Sequence, residues 1–492
     1  MHRSSARLSL LLVVLALHTA CGAGGLGEGD FGATPGGVQD MRIARELISD
    51  GRVPPPEAFV VEGMFSEHDL PLSGSVCERT LCVRAAAAVA PLLDEREAGF
   101  AQVGLSSTID ADHFDDIPYT LIATVDVSGS MGWEQGEGFA GVIAADLLHR
   151  IIDTLRPIDR MAIVTFGDEA ILRQPIIDGD QKELLHAVVD GLSTGGATDM
   201  ESGMKLAYEV GRAHARGDDE RVRVMVFTDV QPNVGATEDS EFETLVREAE
   251  SDDSIETSVF ACGLGVGVGG LQAMSHLRGA NGFGVPTLEA AAVVMEESWP
   301  FLLEAIAYDL KLDVTLPASL TLGAGYGFPT TDGLPTSSLH VASVFLSKKR
   351  GALLLRLDPV QALASEQALP SAFDVEVALS YEERDGLLVE ETLHAVKDGE
   401  PLDERGQWAA QPSTEKAVAL AILVEGMRAS ADAYATDSAA AIAHIELAVA
   451  RIESDALAID DDAIDVEVEL ARDLRDLMVA GAEQGSLSGE DE

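Results

Sequence analysis

Between residues 119 and 310 the chain alternates short apolar runs with amphipathic stretches, and that alternation limits the possible folds more than any other feature. YTLIATVDV, DRMAIVTFGD, RVRVMVFTD and IETSVFACGLG read as strands. They are too continuously apolar for a sheet with one wet face. Between them, FAGVIAADLLHRIIDTL, KELLHAVVDGL, TDMESGMKLAYEVGRAHA and EFETLVREAESD carry apolar residues at spacings of three and four, the period of a helix with one buried stripe. EAILRQPII reads as a strand beside DRMAIVTFGD, LQAMSHLRGANG as a short helix stopped by glycine, and PTLEAAAVVMEESWPFLLEAIAYDL as largely helical. Strands and helices alternating at these lengths predict an α/β domain: a doubly wound, mostly parallel sheet with helices on both faces.

The rest of the chain divides around that block. Residues 1–21 have the form of an export signal, and 22–37 are glycine-rich and read as a flexible tether. Residues 38–118 form a mixed α/β segment, in which MRIARELISDG is a helix ending at Gly51 and CVRAAAAVAPLL fits either strand or helix. Residues 311–410 are strand-rich with glycine and proline turns, which predicts a sandwich-like β module. Residues 411–480 return to helical periodicity, as a helical hairpin or small bundle, and 481–492 form an acidic tail.

The chain has 84 acidic against 33 basic residues, a formal charge of −51. Such a field repels nucleic acid and anionic surfaces and favours cations and basic partners. Adaptation to salty surroundings would produce the same balance. At the N-terminus a basic MHRSSAR precedes LSLLLVVLAL, an apolar run too short to span a membrane, and then HTAC with Cys21. This resembles a bacterial lipoprotein signal, with Leu17, Thr19 and Ala20 approximating the residues before the lipidated cysteine and His18 departing from the pattern. The resemblance implies an extracytoplasmic protein anchored to a lipid bilayer through Cys21. Gly22 suits sorting to the outer membrane, on its periplasmic or outer face. An ordinary secretory signal cleaved nearby, leaving Cys21 free, is the alternative. If Cys21 is lipidated, Cys77 and Cys82 are the obvious disulfide pair, closing CERTLC, and Cys262 is a buried core thiol.

Three segments deliver hard oxygen donors to what should be one edge of the predicted sheet. Asp126 ends the first strand and is followed by Ser128 and Ser130, Asp229 ends RVRVMVFTD, and Thr198 lies in the glycine-containing loop STGGATDM. In such sheets the loops beyond the carboxyl ends of the strands form the ligand crevice. Two carboxylates with three hydroxyls suit a hard divalent cation: Mg2+, or else Mn2+ or Ca2+.

This arrangement resembles the metal-ion-dependent adhesion site of von Willebrand factor type A domains. The family's Asp-x-Ser-x-Ser matches Asp126, Ser128 and Ser130, its loop threonine matches Thr198, and its second aspartate matches Asp229. Val230 stands where the family often has glycine. RIARELISDGRVPPPEAFVVE, ESWPFLLEAIAYDLKLDVTL and AVALAILVEGMRAS look like flanking parts of a bacterial group of secreted or lipid-anchored proteins with this domain. The resemblance implies a protein of the cell envelope that is a binder or scaffold rather than an enzyme, its cation coordinating an Asp or Glu supplied by a protein partner. A metal-assisted hydrolase or phosphatase, or a structural protein with a vestigial site, are the alternatives. Ser128 and Ser130 lie outside any Gly-x-Ser-x-Gly pattern, and no histidine is nominated to activate them.

Other features have two readings each. Asp199 could join the ion's water network or simply start a helix, and Met131 and Trp133 could contact a partner or pack beneath their loop. GLGVGVGG (263–270) lacks the ending of a phosphate-binding loop. His113, Asp115 and Asp116 read as a solvated link, with a second cation site as the alternative.

Overall fold

The computed structural model describes residues 31–109, 116–133, 138–214, 220–299, 301–328, 338–360 and 368–488. Two strands, β1 (Phe31–Pro35) and β2 (Gly37–Val38), are followed by helices α1 (Arg42–Ser49) and α2 (Val61–Ser66) and a long hairpin of β3 (Leu81–Pro91) and β4 (Glu97–Ser107). Cys77, just before β3, forms a disulfide with Cys82, the second residue of that strand.

The α/β unit then runs β5 (Tyr119–Asp126), α3 (Ala140–Thr154), β6 (Arg160–Phe166), β7 (Ile171–Asp178), α4 (Lys182–Asp190), α5 (Met200–His214), β8 (Arg221–Thr228), α6 (Asp239–Asp253), β9 (Ile255–Cys262), α7 (Val268–Ser275), β10 (Ala280–Val285) and α8 (Leu288–Val293). Its seven-stranded sheet has the order β2-β10-β9-β8-β5-β6-β7. Every pairing is parallel except β6 with β7. Every residue of β5, β6 and β9 is buried. One core, holding Ile143, Leu147 and Leu185 of α3 and α4, covers one face. The other face carries Met204, Phe242 and Leu271 from α5, α6 and α7.

The second sheet is antiparallel throughout. Its later strands are β11 (Ala305–Thr315), β12 (Leu320–Tyr326), β13 (Ser338–Ser347), β14 (Gly351–Pro359), β15 (Ala372–Glu383), β16 (Leu388–Asp398) and β17 (Trp408–Ala409). The order is β12-β14-β4-β1-β13-β11-β15-β16, with β3 on the other edge of β4 and β17 on β3. β15 shows the pleat plainly: Phe373, Val375, Val377, Leu379 and Tyr381 are buried, while the residues between them are more exposed. Three helices close the chain: α9 (Pro412–Tyr434), α10 (Ser438–Ala456) and α11 (Asp462–Ser488). α9 is apolar nearly all round because it is covered on nearly every side, by α10, α11, α2 and the β3–β4 sheet.

Four local expectations need correction. Residues 31–37 are not tether: β1 pairs with β13 and β4, and β2 joins the α/β sheet. Their small side chains serve close approach, since a Cβ on Gly32 would overlap the Lys349 carbonyl. The strand-rich module does not begin at 311, because β11 starts at Ala305, where a helix was expected. It is not confined to 311–410 either, since β1, β3 and β4 lie in the same sheet. The tail beginning at 481 continues α11 as far as Ser488. CVRAAAAVAPLL, which fits either state in isolation, is strand β3. Cys21 and its signal segment, with His113 and Asp115, lie outside the described residues.

Candidate metal centre

Parallel strands bring the loops after β5 and β8 to one end of the sheet, because β5 and β8 are neighbours in register. Asp126 is the last residue of β5, and Asp229 follows the last residue of β8. Asp126, Ser128, Thr198 and Asp229 are all buried, with Ser130 exposed at the rim.

Backbone hydrogen bonds tie the three loops together. Gly195 N donates to the Val127 carbonyl at 2.7 Å and Gly129 N to that of Gly196 at 3.2 Å. The Asn233 side chain accepts from Thr198 N at 2.9 Å, and Asn233 N donates back to the Thr198 carbonyl at 3.2 Å. The structure therefore gathers all five predicted residues at one place.

The Asp126 carboxylate is held from both sides. Its Oδ1 accepts from Ser128 N at 2.8 Å, and its Oδ2 accepts from the Thr228 hydroxyl at 2.7 Å. Trp133 Nε1 donates to the Asp126 carbonyl at 2.8 Å, and Trp133 N to Thr194 Oγ1 at 2.8 Å. Met131 and Trp133 thus pack beneath the loop, both buried. Asp199 accepts from Ser202 N at 3.0 Å and starts α5. Thr228 and Asn233 are positioning residues that sequence reading missed. Thr228 directly precedes Asp229, yet nothing in the sequence says that its hydroxyl turns towards a different strand.

Whether these residues suit a cation is testable on the geometry. Ser128 Oγ and Ser130 Oγ are 3.1 Å apart, and Ser130 also hydrogen-bonds Asp229. Asp229 Oδ1 is buried with no hydrogen-bond partner, an arrangement that costs free energy unless something positive lies beside it. Burial pushes the Asp126 carboxyl up to about 6 and raises Asp229 as well, with no basic side chain among the main influences on either. Two buried carboxylates, three hydroxyls and no compensating positive charge fit a hard cation. Only two of the five are carboxylates, and no cage of three or more His, Cys, Asp or Glu exists among the described residues.

Val230 adopts φ +54°, the left-handed region, although it is β-branched and buried. Such backbone is sparsely populated and is held only by its surroundings. Here Val230 N donates to Thr228 Oγ1 at 3.0 Å, so the bend and the clamp on Asp126 share one hydroxyl. Beyond it, GLGVGVGG forms a loop running into α7, with Gly267 N donating to the Asp229 carbonyl at 3.1 Å.

Fold and site together define an α/β domain of the von Willebrand factor type A kind, and residues 121–231 match the sequence profile of the von Willebrand factor type A domain. Among curated proteins, the uncharacterized protein YfbK of Escherichia coli (strain K12) is 24% identical over 295 residues, 56% of this chain and 48% of that protein. The match therefore spans about half the length of that relative. A solved structure of a von Willebrand factor type A protein from Catenulispora acidiphila superposes with a TM-score of 0.50 at 14% identity, covering 80% of this chain and 91% of that one. That likeness concerns the fold.

Proposed function

We propose that this protein is a divalent-cation-dependent protein-binding or scaffolding component of the bacterial cell envelope. The observation that carries the reading is the buried, partnerless Asp229 Oδ1 beside Asp126 and the hydroxyls of Ser128, Ser130 and Thr198. Asp126 and Asp229, with those hydroxyls, would hold the ion. When bound, a divalent cation such as Mg2+ supplies an open coordination position that an Asp or Glu carboxylate of a partner can fill.

The chain's own residues supply the preorganisation. Thr228 and the Ser128 amide orient the Asp126 carboxylate, Trp133 locks the loop beneath it, and Asn233 fastens the Thr198 loop. Binding is favoured over hydrolysis because the Ser128 and Ser130 hydroxyls bond to each other and Ser130 bonds to Asp229. No hydrogen bond from a histidine reaches either of them among the described residues. A net charge of −51 disfavours an acidic partner surface, so the fitting partner presents one carboxylate within basic surroundings. Anchoring through a lipidated Cys21, on the extracytoplasmic side, belongs to the same proposal, and mass spectrometry of the mature N-terminus tests it.

Calorimetric titration with Mg2+ and Mn2+ tests the centre directly. The wild-type chain is expected to bind one ion in this cluster, and Asp126→Ala to abolish that binding while keeping its far-ultraviolet circular dichroism. Affinity capture from envelope extract, with and without chelator, then tests the partner. Undiminished ion binding in Asp126→Ala would refute the assignment.

A further inference from the structure

Away from the oxygen cluster, α3 and α4 pack side by side and bring two histidines together. His149 of α3 and His186 of α4 have their Nδ1 atoms 2.7 Å apart. The ring centres are 5.0 Å apart and the ring planes are inclined by 25°. That separation is the Nδ1···Nδ1 distance plus one ring radius at each end. The two nitrogens therefore lie close to the line joining the ring centres, with their in-plane lone-pair directions meeting head-on. The opposite nitrogens are also engaged: His149 Nε2 lies 3.2 Å from Asp190 Oδ1, and His186 Nε2 lies 3.1 Å from Asp153 Oδ1.

Counting hydrogens on these four nitrogens exposes a deficit. An ionised carboxylate only accepts, so each Nε2 facing one carries the hydrogen. A neutral imidazole has a single N–H, which leaves both Nδ1 atoms bare. Two bare lone pairs repel at 2.7 Å. Something electrophilic belongs between them, either a proton or a metal ion.

We propose that His149 and His186 form a two-histidine binding site for a late first-row divalent ion of the zinc, copper and nickel class, clamping α3 to α4. Imidazole nitrogen suits that class, whereas the all-oxygen cluster suits harder ions, so one domain would hold two chemically distinct sites. Asp190 and Asp153 occupy the places that carboxylates take behind metal-bound histidines, where they set the tautomer and ring orientation. Metal–nitrogen bonds of about 2.0–2.1 Å at a tetrahedral angle place the nitrogens about 3.3–3.4 Å apart, so the ion sits to one side of the line joining them and each ring turns its lone pair off that line. The rings have room to tilt outward, with side-chain exposures of 31% for His149 and 28% for His186. Because no third ligand converges among the described residues, water completes the shell. Of the neighbouring cations, Arg150 is held by Asp146 and Lys182 by the Asp153 carbonyl, so neither occupies the gap between the rings.

The test is titration of the full chain with ZnCl2 and, separately, CuCl2, in the presence of saturating Mg2+. The expected result is one equivalent bound in the micromolar range by the wild type. His149→Gln and His186→Gln should each weaken binding ~10-fold or more, and Asp153→Asn and Asp190→Asn by ~10-fold. Asp126→Ala should leave it unchanged, which separates this site from the oxygen cluster. Electron paramagnetic resonance of the Cu2+ form should show splitting from two imidazole nitrogens in the wild type and from one in each single histidine variant. Equal affinity in the wild type and the double histidine variant, or a copper spectrum that the variants do not alter, would overturn the proposal. In that case the rings share only a proton.

Discussion

Asp126 carries the clearest residue-scale consequence. Burial raises its carboxyl to about 6, above the ordinary aspartate value of 3.8. A carboxyl raised on folding contributes stability while it is protonated, and that contribution is lost as pH rises from the unfolded value through the folded one. In chelator, the wild type is therefore expected to lose about 2–3 kcal/mol relative to Asp126→Asn between pH 4 and pH 8. Asp126→Asn should melt higher at pH 8, and Mg2+ should rescue only the wild type. Thermal melts across that range check this; parallel pH profiles for the two proteins would contradict it. The five candidate ligand residues themselves were legible from type and spacing. Thr228, Asn233 and the strained Val230 were not, because each acts through a hydrogen bond or a backbone angle that spacing does not encode.

At the scale of elements, helix α11 is held to α1 through one buried carboxylate. Glu467 accepts from Arg45 at 2.8 Å and lies 3.0 Å from His68 Nε2. Burial opposes its charge, but the His68 hydrogen bond and the Arg45 charge outweigh burial and lower its pKa below the ordinary glutamate value of 4.5. The resulting stability is present above that value and is lost as pH falls through the depressed one. Hydrogen exchange should show α11 amides opening at acid pH before those of the buried β5. Glu467→Ala should bring that opening to pH 7, at a cost of about 3 kcal/mol; unaltered α11 protection in this variant would count against the latch. Periodicity identified the elements of the α/β block well, since their burial follows their own sequence. It misread 31–35 and 305–310, whose strand character comes from pairing with β13, a segment remote in sequence from β1, and Gly37, which pairs with β10.

Across the whole molecule, the two sheets are joined by buried charge at the start of β8 and β9. Arg223, 1% exposed, pairs with Glu256, donates to the Leu303 carbonyl at 3.2 Å and lies over the Phe345 ring. Glu256 also takes the Tyr308 hydroxyl of β11 at 2.5 Å and Arg384, in the turn just after β15, at 3.2 Å. Removing one member of such a network strands the others, so Arg223→Ala is expected to cost about 3–5 kcal/mol. It should also split a single unfolding transition into two, as followed by calorimetry; one transition at the wild-type temperature would show the sheets to be independent.

Strand and helix periods were enough to specify the α/β block, because each element depends on residues close in sequence, and the strand ends and loop they imply marked Asp126, Ser128, Ser130, Thr198 and Asp229 as candidate oxygen donors. The C-terminal helical segment formed as expected, but the partition into separate N-terminal and β-rich segments did not survive folding. β1, β3 and β4 complete a sheet built mostly from residues beyond 304, while β2 edges the other sheet. Arg45 meets Glu467 across 422 positions. Such pairings depend on which surfaces meet once the core has closed. Tertiary structure alone also brought His149 to His186, because one histidine on each of two helices reveals nothing until those helices pack.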